Sequence, residues 1–390
     1  MKYDFDTVID RKNTKSLKHD FYEEHKIPVD AISMWVADMD FRTAPCVTEA
    51  MKKDLELGIF GYSEPLEPYY QAVSNWFASR FGWNLQKEWL VKTPGVVFAL
   101  TTAICSLTEK GDAVLIQQPV YYPFRKVIED NGRVCVNSSL VYSNSHYEMD
   151  FHDFEEKIVQ NHVKMFILCS PHNPVGRVWT KEELLTVIAI CRKHNVFIVS
   201  DEIHADFVYP GHHHIVLAKL ADDYLDHMII CTSPSKTFNL AGLQLSNIFI
   251  PDEEVRTKFV KRLHEVSYLE AGMLALTACE AAYTDGGEWL DELLIYLQEN
   301  IGYVRNFLRE NLGKLHMVEP EGTYLLWLDF SEYGYTPQEL DTKMLQEVKL
   351  WLDAGAIFGA EGNCFERINI ACPRSILIQA MERLKRTFGE

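Results

Sequence analysis

No C-x-x-C pair occurs among the nine cysteines, so neither a dithiol redox motif nor a zinc ribbon is indicated, and scattered thiols of this kind fit a reducing compartment better than a disulfide framework. No G-x-G-x-x-G opens a helix and no Walker-type loop occurs, which removes the usual signatures of nicotinamide and nucleoside triphosphate sites. No run approaches the roughly twenty apolar residues of a membrane helix. Residues Met1 to Asp10 mix acids with apolar side chains and lack a basic stretch followed by an apolar one, so a secretory leader is not expected. Positive charge is in short supply as well. The 38 Lys and Arg against 56 Asp and Glu leave a formal charge of −18, a balance that repels nucleic acid and anionic membrane surfaces. A cytoplasmic location, with neither nucleic acid nor membrane as a partner, is the expectation.

What the chain does have is core. At 390 residues and 47% apolar content, it can build a large domain with a smaller companion. Short apolar runs recur at Ala113 to Gln117, Met165 to Cys169, Val196 to Ser200, Met228 to Thr232 and Asn247 to Ile250, each the length of a buried strand. Between the second and third, Thr180 and Glu183 have capping-box spacing, and Leu184, Val187, Ile188 and Cys191 continue a helical stripe. This alternation predicts an α/β fold with helices on both faces of a mostly parallel sheet. From about Glu288 the pattern changes to a long amphipathic helix, a strand at Thr323 to Asp329, a helix around Thr342 to Leu352, a strand near Arg367 to Ala371 and a final helix, which reads as a smaller α+β domain. The expected division is an N-terminal segment over 1–45, a large domain over 46–287 and a small domain over 288–390. His212 to His214 follow Pro210 and Gly211, and are expected in a solvated turn with no metal.

Ligands of open parallel sheets bind at the carboxyl ends of the strands, so the residues that follow each apolar run carry the most information. Asn173 follows the second run, Asp201 and His204 the third, and Ser233, Ser235 and Lys236 the fourth. Upstream, Gly95, Val96 and Val97 open a helix whose free N–H groups offer an anion site. Taken singly, Asp201 fits a helix cap, Asn173 a turn with Pro174 and Lys236 a solvated position. Together they match pyridoxal 5′-phosphate (PLP), whose aldehyde needs a lysine amine, whose ring nitrogen needs a carboxylate and whose phosphate needs N–H and hydroxyl donors.

The run Ser233-Pro-Ser-Lys236-Thr-Phe-Asn-Leu-Ala-Gly242-Leu, with Asn173-Pro174 and Asp201 at this spacing, resembles the class I/II aminotransferase superfamily, fold type I of the PLP enzymes. Within it, Trp35-Val-Ala-Asp-Met-Asp-Phe41, Gly61-Tyr62, Pro94-Gly-Val-Val97, Pro119-Val-Tyr121, Cys169-Ser-Pro-His-Asn-Pro174, Ser200-Asp-Glu-Ile-His204 and Tyr324-Leu-Leu-Trp-Leu-Asp-Phe330 resemble its cystathionine and cysteine-S-conjugate β-lyase subgroup. The resemblance implies a seven-stranded sheet in the large domain and a homodimer with the active site at the subunit interface. It makes Lys236 the covalent anchor and the base, Asp201 the partner of the ring nitrogen and Asn173 a donor to the cofactor's phenolic oxygen. His204 stands where general aminotransferases often have a tyrosine, and Tyr121 matches the ring stacked on the cofactor. For the phosphate the resemblance points to Gly95, Val96, Val97, Ser233 and Ser235, with Tyr62 from a second subunit. Position 244, where the superfamily often has an arginine, is Gln244. Arg367 matches the arginine that grips the substrate α-carboxylate, with Asn173 beside it and Ala37 and Asp38 in the segment that closes over the substrate.

The implied reaction is β-elimination from cystathionine, cysteine or an S-substituted cysteine, giving thiol, pyruvate and ammonia. An aminotransferase shares the same core residues, and a PLP-binding regulatory protein without significant turnover is the non-enzymatic alternative.

Overall fold

In the computed structural model, which describes residues 1–221 and 223–389, the elements fall in three stretches. The first holds β1 (Ile32–Ser33) and the helices Pro45–Leu57 and Glu67–Phe81. The second runs through β2 (Leu90–Thr93), the helix Val96–Leu107, β3 (Ala113–Ile116), β4 (Val134–Asn137), the hairpin β5 (Val141–Ser143) and β6 (His146–Glu148), β7 (Met165–Cys169), the helix Lys181–Lys193, β8 (Phe197–Asp201), β9 (Met228–Thr232) and β10 (Ser246–Phe249). After the helices Glu253–Glu265, Met273–Asp285 and Gly287–Asn311 come β11 (His316–Met317), β12 (Leu325–Asp329), β13 (Leu350–Trp351), β14 (Asp353–Ala354), β15 (Phe365–Asn369) and the helix Arg374–Phe388.

Seven strands form the main sheet in the order β2-β10-β9-β8-β7-β3-β4, and all are parallel except β10, which runs antiparallel to both its neighbours. The runs at 165–169, 197–201 and 228–232 are buried throughout, as strands covered on both faces must be. Two packed cores flank them, one around Val114, Ile167, Val199 and Ile229 and the other around Leu115, Phe166, Ile198 and Ile230. The second sheet is antiparallel, β11-β12-β15-β14, and β1 pairs in parallel with β13. No helix among the described residues is long and apolar enough to cross a membrane.

Three expectations need correction. The helix anticipated over 342–352 is a short helix at Pro337–Lys343 followed by a π-helical turn at Met344–Val348, and the chain then enters β13. Lys349, at φ +61°, breaks the helix, and Gly355 and Gly362 then pack backbone against backbone where any Cβ would collide. The terminal strand begins at Phe365, ahead of Arg367. The histidine turn is not wholly solvated: His214 is buried, with Nε2 2.8 Å from Glu202 Oε2. Glu202 is itself buried and also accepts from Ser200 Oγ and the Leu217 N–H, since a carboxylate in such a place needs partners.

The capping box at Thr180 and Glu183 forms as the spacing predicts, with the Glu183 N–H donating to Thr180 Oγ1 and the Thr180 N–H to Glu183 Oε2. Glu183 also receives Arg177, whose Nε donates to Glu321 Oε2 at 2.9 Å ahead of β12. Arg177 is buried and joins the two sheets' surroundings. Replacing it with Met strands two carboxylates and is expected to cost about 3–5 kcal/mol, whereas Thr180→Ala loses one cap, about 1 kcal/mol. Denaturant midpoints of the two variants check this ordering, and a cap loss as costly as the arginine loss contradicts it.

Candidate active site

Adjacent strand ends deliver the site. Asp201, the last residue of β8, is the register partner of Cys169 on β7 and of Cys231 on β9, so its carboxylate stands in a row of buried thiols. The Ile203 N–H donates to Asp201 Oδ1 at 3.1 Å. Beyond β7, the Asn173 N–H donates to Cys169 Sγ and the His172 ring bonds the Pro119 carbonyl at 2.9 Å, fixing the Asn173 loop. Beyond β9, Ser233 Oγ accepts the Ser235 N–H at 3.0 Å and donates to the Leu245 carbonyl at 2.7 Å. That cap starts the turn Pro234–Thr237, which Thr237 anchors by donating to Asp206 Oδ2 at 2.7 Å. Lys236 is thereby aimed inward.

Asn173, Asp201, Ser235 and Lys236 line one cavity of about 330 Å³. Lys236 Nζ donates to the Ala37 carbonyl at 2.7 Å. Burial, with the charge of Arg367, brings its ammonium down from 10.5 to about 8, against the pull of Asp38 and Asp201. Burial pushes Asp201 up to about 7, opposed by the Ile203 N–H and Lys236. Burial, with Lys236 and Arg367 nearby, lowers His204 to about 3. His204 is therefore neutral at pH 7, and its buried Nδ1 has no hydrogen-bond partner. The Tyr121 hydroxyl is raised by burial. From β15, Arg367 donates to Asn173 Oδ1 at 3.0 Å, to the Trp35 carbonyl at 2.9 Å and to Asp353 Oδ2.

The cavity brings together Ala37, Gly95, Val96, Val97, Tyr121, Asn173, Asp201, His204, Ser235, Lys236 and Arg367. Two residues expected at the site lie off this chain's cavity, and Tyr62, expected from a second subunit, stands apart from it. The Ser233 hydroxyl is committed to its cap and to Leu245. Asp38 turns its carboxylate to Arg11 at 2.8 Å and Lys18 at 3.6 Å, and acts on Lys236 through its charge alone. Tyr62 is 96% exposed on the surface of its own chain.

Sequence reasoning missed Ser246, Asp353 and Tyr122, which line the cavity together with Trp35 of the segment expected to close over the substrate. Ser246 is buried and its Oγ has no partner. A search of residues following strands passes over it, because β10 is antiparallel and its first residue, paired with Thr93, stands at the end where the parallel strands finish. Asp353 lies just past the segment read as helix, in a strand of two residues.

Buried anchors of opposite charge, a lysine made partly neutral and a helix N-terminus at Val96 with free N–H groups together define a site for a phosphorylated aldehyde cofactor and an amino-acid substrate. The chain belongs to the class I and II aminotransferase family, whose model matches residues 29–384. It is 44% identical over 381 residues to the cystathionine β-lyase PatB of Bacillus subtilis (strain 168), covering 98% of each chain. Among solved structures it superposes with a TM-score of 0.96 on cystalysin from Treponema denticola, which contains PLP, at 37% identity and 99% coverage of both chains. It also resembles the PLP-bound C-S lyase of Staphylococcus hominis complexed with the inhibitor L-cycloserine: TM-score 0.94, 33% identity, 100% of this chain and 98% of that one.

Only the neutral amine attacks an aldehyde. The cofactor-free protein is therefore expected to capture PLP with a rate that rises through about pH 8, rather than near the ordinary lysine value of 10.5, when the adduct is fixed by borohydride and the labelled peptide identified. A label away from Lys236, or a rise only near 10.5, contradicts the placement.

Proposed function

We propose that this chain is a PLP-dependent carbon–sulfur β-lyase that converts cystathionine, cysteine or an S-substituted cysteine, with one water, to thiol, pyruvate and ammonia. The observation that carries this reading is the convergence of Lys236, Asp201, Asn173 and Arg367 in one cavity of a chain that is 44% identical over its length to a cystathionine β-lyase and 33% identical to a C-S lyase. The residues fit the cofactor. Lys236 is the covalent anchor, Asp201 faces the ring nitrogen, and Asn173 and the orphaned His204 Nδ1 serve the phenolic oxygen. Tyr121 covers the ring, and the N–H groups at Gly95, Val96 and Val97 with the hydroxyls of Ser235 and Ser246 hold the phosphate. When bound, PLP supplies the electron sink that makes the substrate Cα–H acidic.

The rest is done by this chain. Arg367 orients the α-carboxylate, a task suited to a planar guanidinium. Lys236, near 8 through burial, is neutral often enough at physiological pH to take the Cα proton. Asp201 keeps a positive charge on the nitrogen opposite it favourable, and that charge in turn stabilises its ionised form.

We further read the enzyme as a homodimer. Tyr62 shares its surface with Leu57, Phe60 and Leu66, which are 67%, 64% and 75% exposed, an apolar patch suited to a second copy. In that arrangement Tyr62 completes the neighbour's phosphate site. All nine cysteines are free thiols, which supports a cytoplasmic location. The division of the chain at residues 45 and 287 belongs to the same proposal, supported by the change of sheet across the helix Gly287–Asn311.

An S-substituted cysteine should give equal amounts of pyruvate, ammonia and thiol with no 2-oxo acid added, and alanine, which has no leaving group, should give none. Consumption that requires a 2-oxo acid makes the protein an aminotransferase instead. For the dimer, Tyr62→Ala and Lys236→Ala variants, each inactive alone, should regain activity when mixed, because one site per mixed dimer is intact. Demonstrated subunit exchange with no recovery assigns Tyr62 to its own subunit.

A further inference from the structure

The two bidentate faces of a guanidinium share one nitrogen. A carboxylate that takes two N–H bonds uses either both terminal nitrogens or Nε with Nη2, so Nη2 belongs to both faces. In Arg367 that nitrogen is occupied twice, by the Trp35 carbonyl and by Asp353 Oδ2. Nη1 serves Asn173, and Nε is buried without a partner. A substrate carboxylate aimed at the free Nε completes its pair only if one occupant leaves Nη2. The Trp35 carbonyl is built into the backbone: the Met34 N–H donates to the Trp351 carbonyl at 2.8 Å, the Asn369 N–H to the Met34 carbonyl at 2.9 Å, and Asn369 Nδ2 to the Val36 carbonyl. Asp353 needs only a side-chain rotation.

We propose that Asp353 is the resting counter-ion of Arg367, and that it yields Nη2 to the incoming α-carboxylate and takes up a proton as it does. This rests on Arg367 being the α-carboxylate site. The exchange balances: the ion pair, the substrate carboxylate and one proton become a new ion pair and a neutral Asp353. Two buried carboxylates beside one guanidinium do not both stay ionised. Asp353, on β14, faces Arg367 of β15, with Tyr121 and Tyr122 nearby, and also feels Glu366. Both tyrosine hydroxyls are raised by burial, so Arg367 is the cation that holds Asp353 ionised. Burial already raises Asp353 above the usual carboxylate range against that attraction, and losing Arg367 leaves burial unopposed.

Propionate, a carboxylate without amine or leaving group, tests this on the PLP-loaded enzyme in weak buffer with a pH indicator, at about pH 7 where propionate itself is ionised. The wild-type protein should take up as much as one proton per site on binding, and its propionate affinity should fall as pH rises. Asp353→Asn should bind propionate at least about fivefold more tightly, with no proton uptake, and should lose the same pH dependence from KM for an S-substituted cysteine. If Asn at this position unfolds the protein, Asp353→Ser serves in its place. Arg367→Ala separates the two failures. Unchanged propionate binding in Arg367→Ala removes the α-carboxylate assignment. Binding lost there, with no proton uptake in wild type or no tightening in Asp353→Asn, overturns the role of Asp353 alone.

Discussion

Two cations and two carboxylates share one buried cavity, and the way their charges are settled governs what each can do. Arg367 cannot shed its proton, so burial obliges it to have acceptors, and Asn173, Asp353 and the Trp35 carbonyl supply them at its two terminal nitrogens while Nε stays open. Lys236 and Asp201 have no such direct pairing. Lys236 leans on a neutral carbonyl and Asp201 on an N–H, and burial moves the first down to about 8 and the second up to about 7. The permanently charged residue is thus the neutralised one, and the two that must change charge or respond to it sit near neutrality. A direct Lys236–Asp201 salt bridge would have pushed the two values apart and left the lysine protonated.

The same economy shapes the segment over the cavity. Residues 35–41 form neither helix nor strand, so their backbone groups need partners from side chains. Asn369 Nδ2 donates to the carbonyls of Val36 and Asp38, Asn239 bonds Met39 in both directions, and Tyr324 donates to Ala37. On the outer side Asp40 is met by Arg11, Lys18 and His19. Lys18 is fully buried, and although burial works the other way, its charge and the hydrogen bond with His19 hold the Asp40 carboxyl well below the usual range. The acidic run that marks this segment in the sequence is therefore paired away from the cavity, while the carbonyls of Trp35 and Ala37 reach Arg367 and Lys236.

The central strands were legible because burial on both faces leaves unbroken apolar runs, as at Met165–Cys169 and Met228–Thr232. β4 was not: Val134 is half exposed and only Val136 is buried, so this edge strand lacks the signal. The chemistry after β7, β8 and β9 was legible because parallel strands put all their carboxyl ends on one side. That rule fails where one strand reverses, which is why Ser246 went unseen. Ser233 and Ser235 look equivalent in the sequence, and their separation depends on which hydroxyl is used up starting the turn that presents Lys236. Asp353 lies in a two-residue strand, too short to leave any periodicity.

The small sheet does more than supply Arg367. Its strand β15 pairs Arg367 with Asp353 on β14, and the chain immediately before Asp353 is β13, on which β1 lies in parallel register. Trp351 of β13 stacks on Trp35 at 4.6 Å, and the carbonyl of that same Trp35 is the second acceptor on Arg367 Nη2. Arginine, counter-ion and backbone acceptor therefore hang on one body made of β1, β13, β14 and β15, whereas Lys236, Asp201 and Asn173 hang on the main sheet. At the cavity the two are joined by polar contacts, Arg367 to Asn173 and Ala37 to Lys236, and by ring contacts of His204 with Tyr324 and of Tyr122 with Phe358. A substrate that engages Arg367 by its carboxylate and the main sheet by its amine bridges the two, so the binding energy of the carboxylate is available to set the position of Cα against the Lys236 amine.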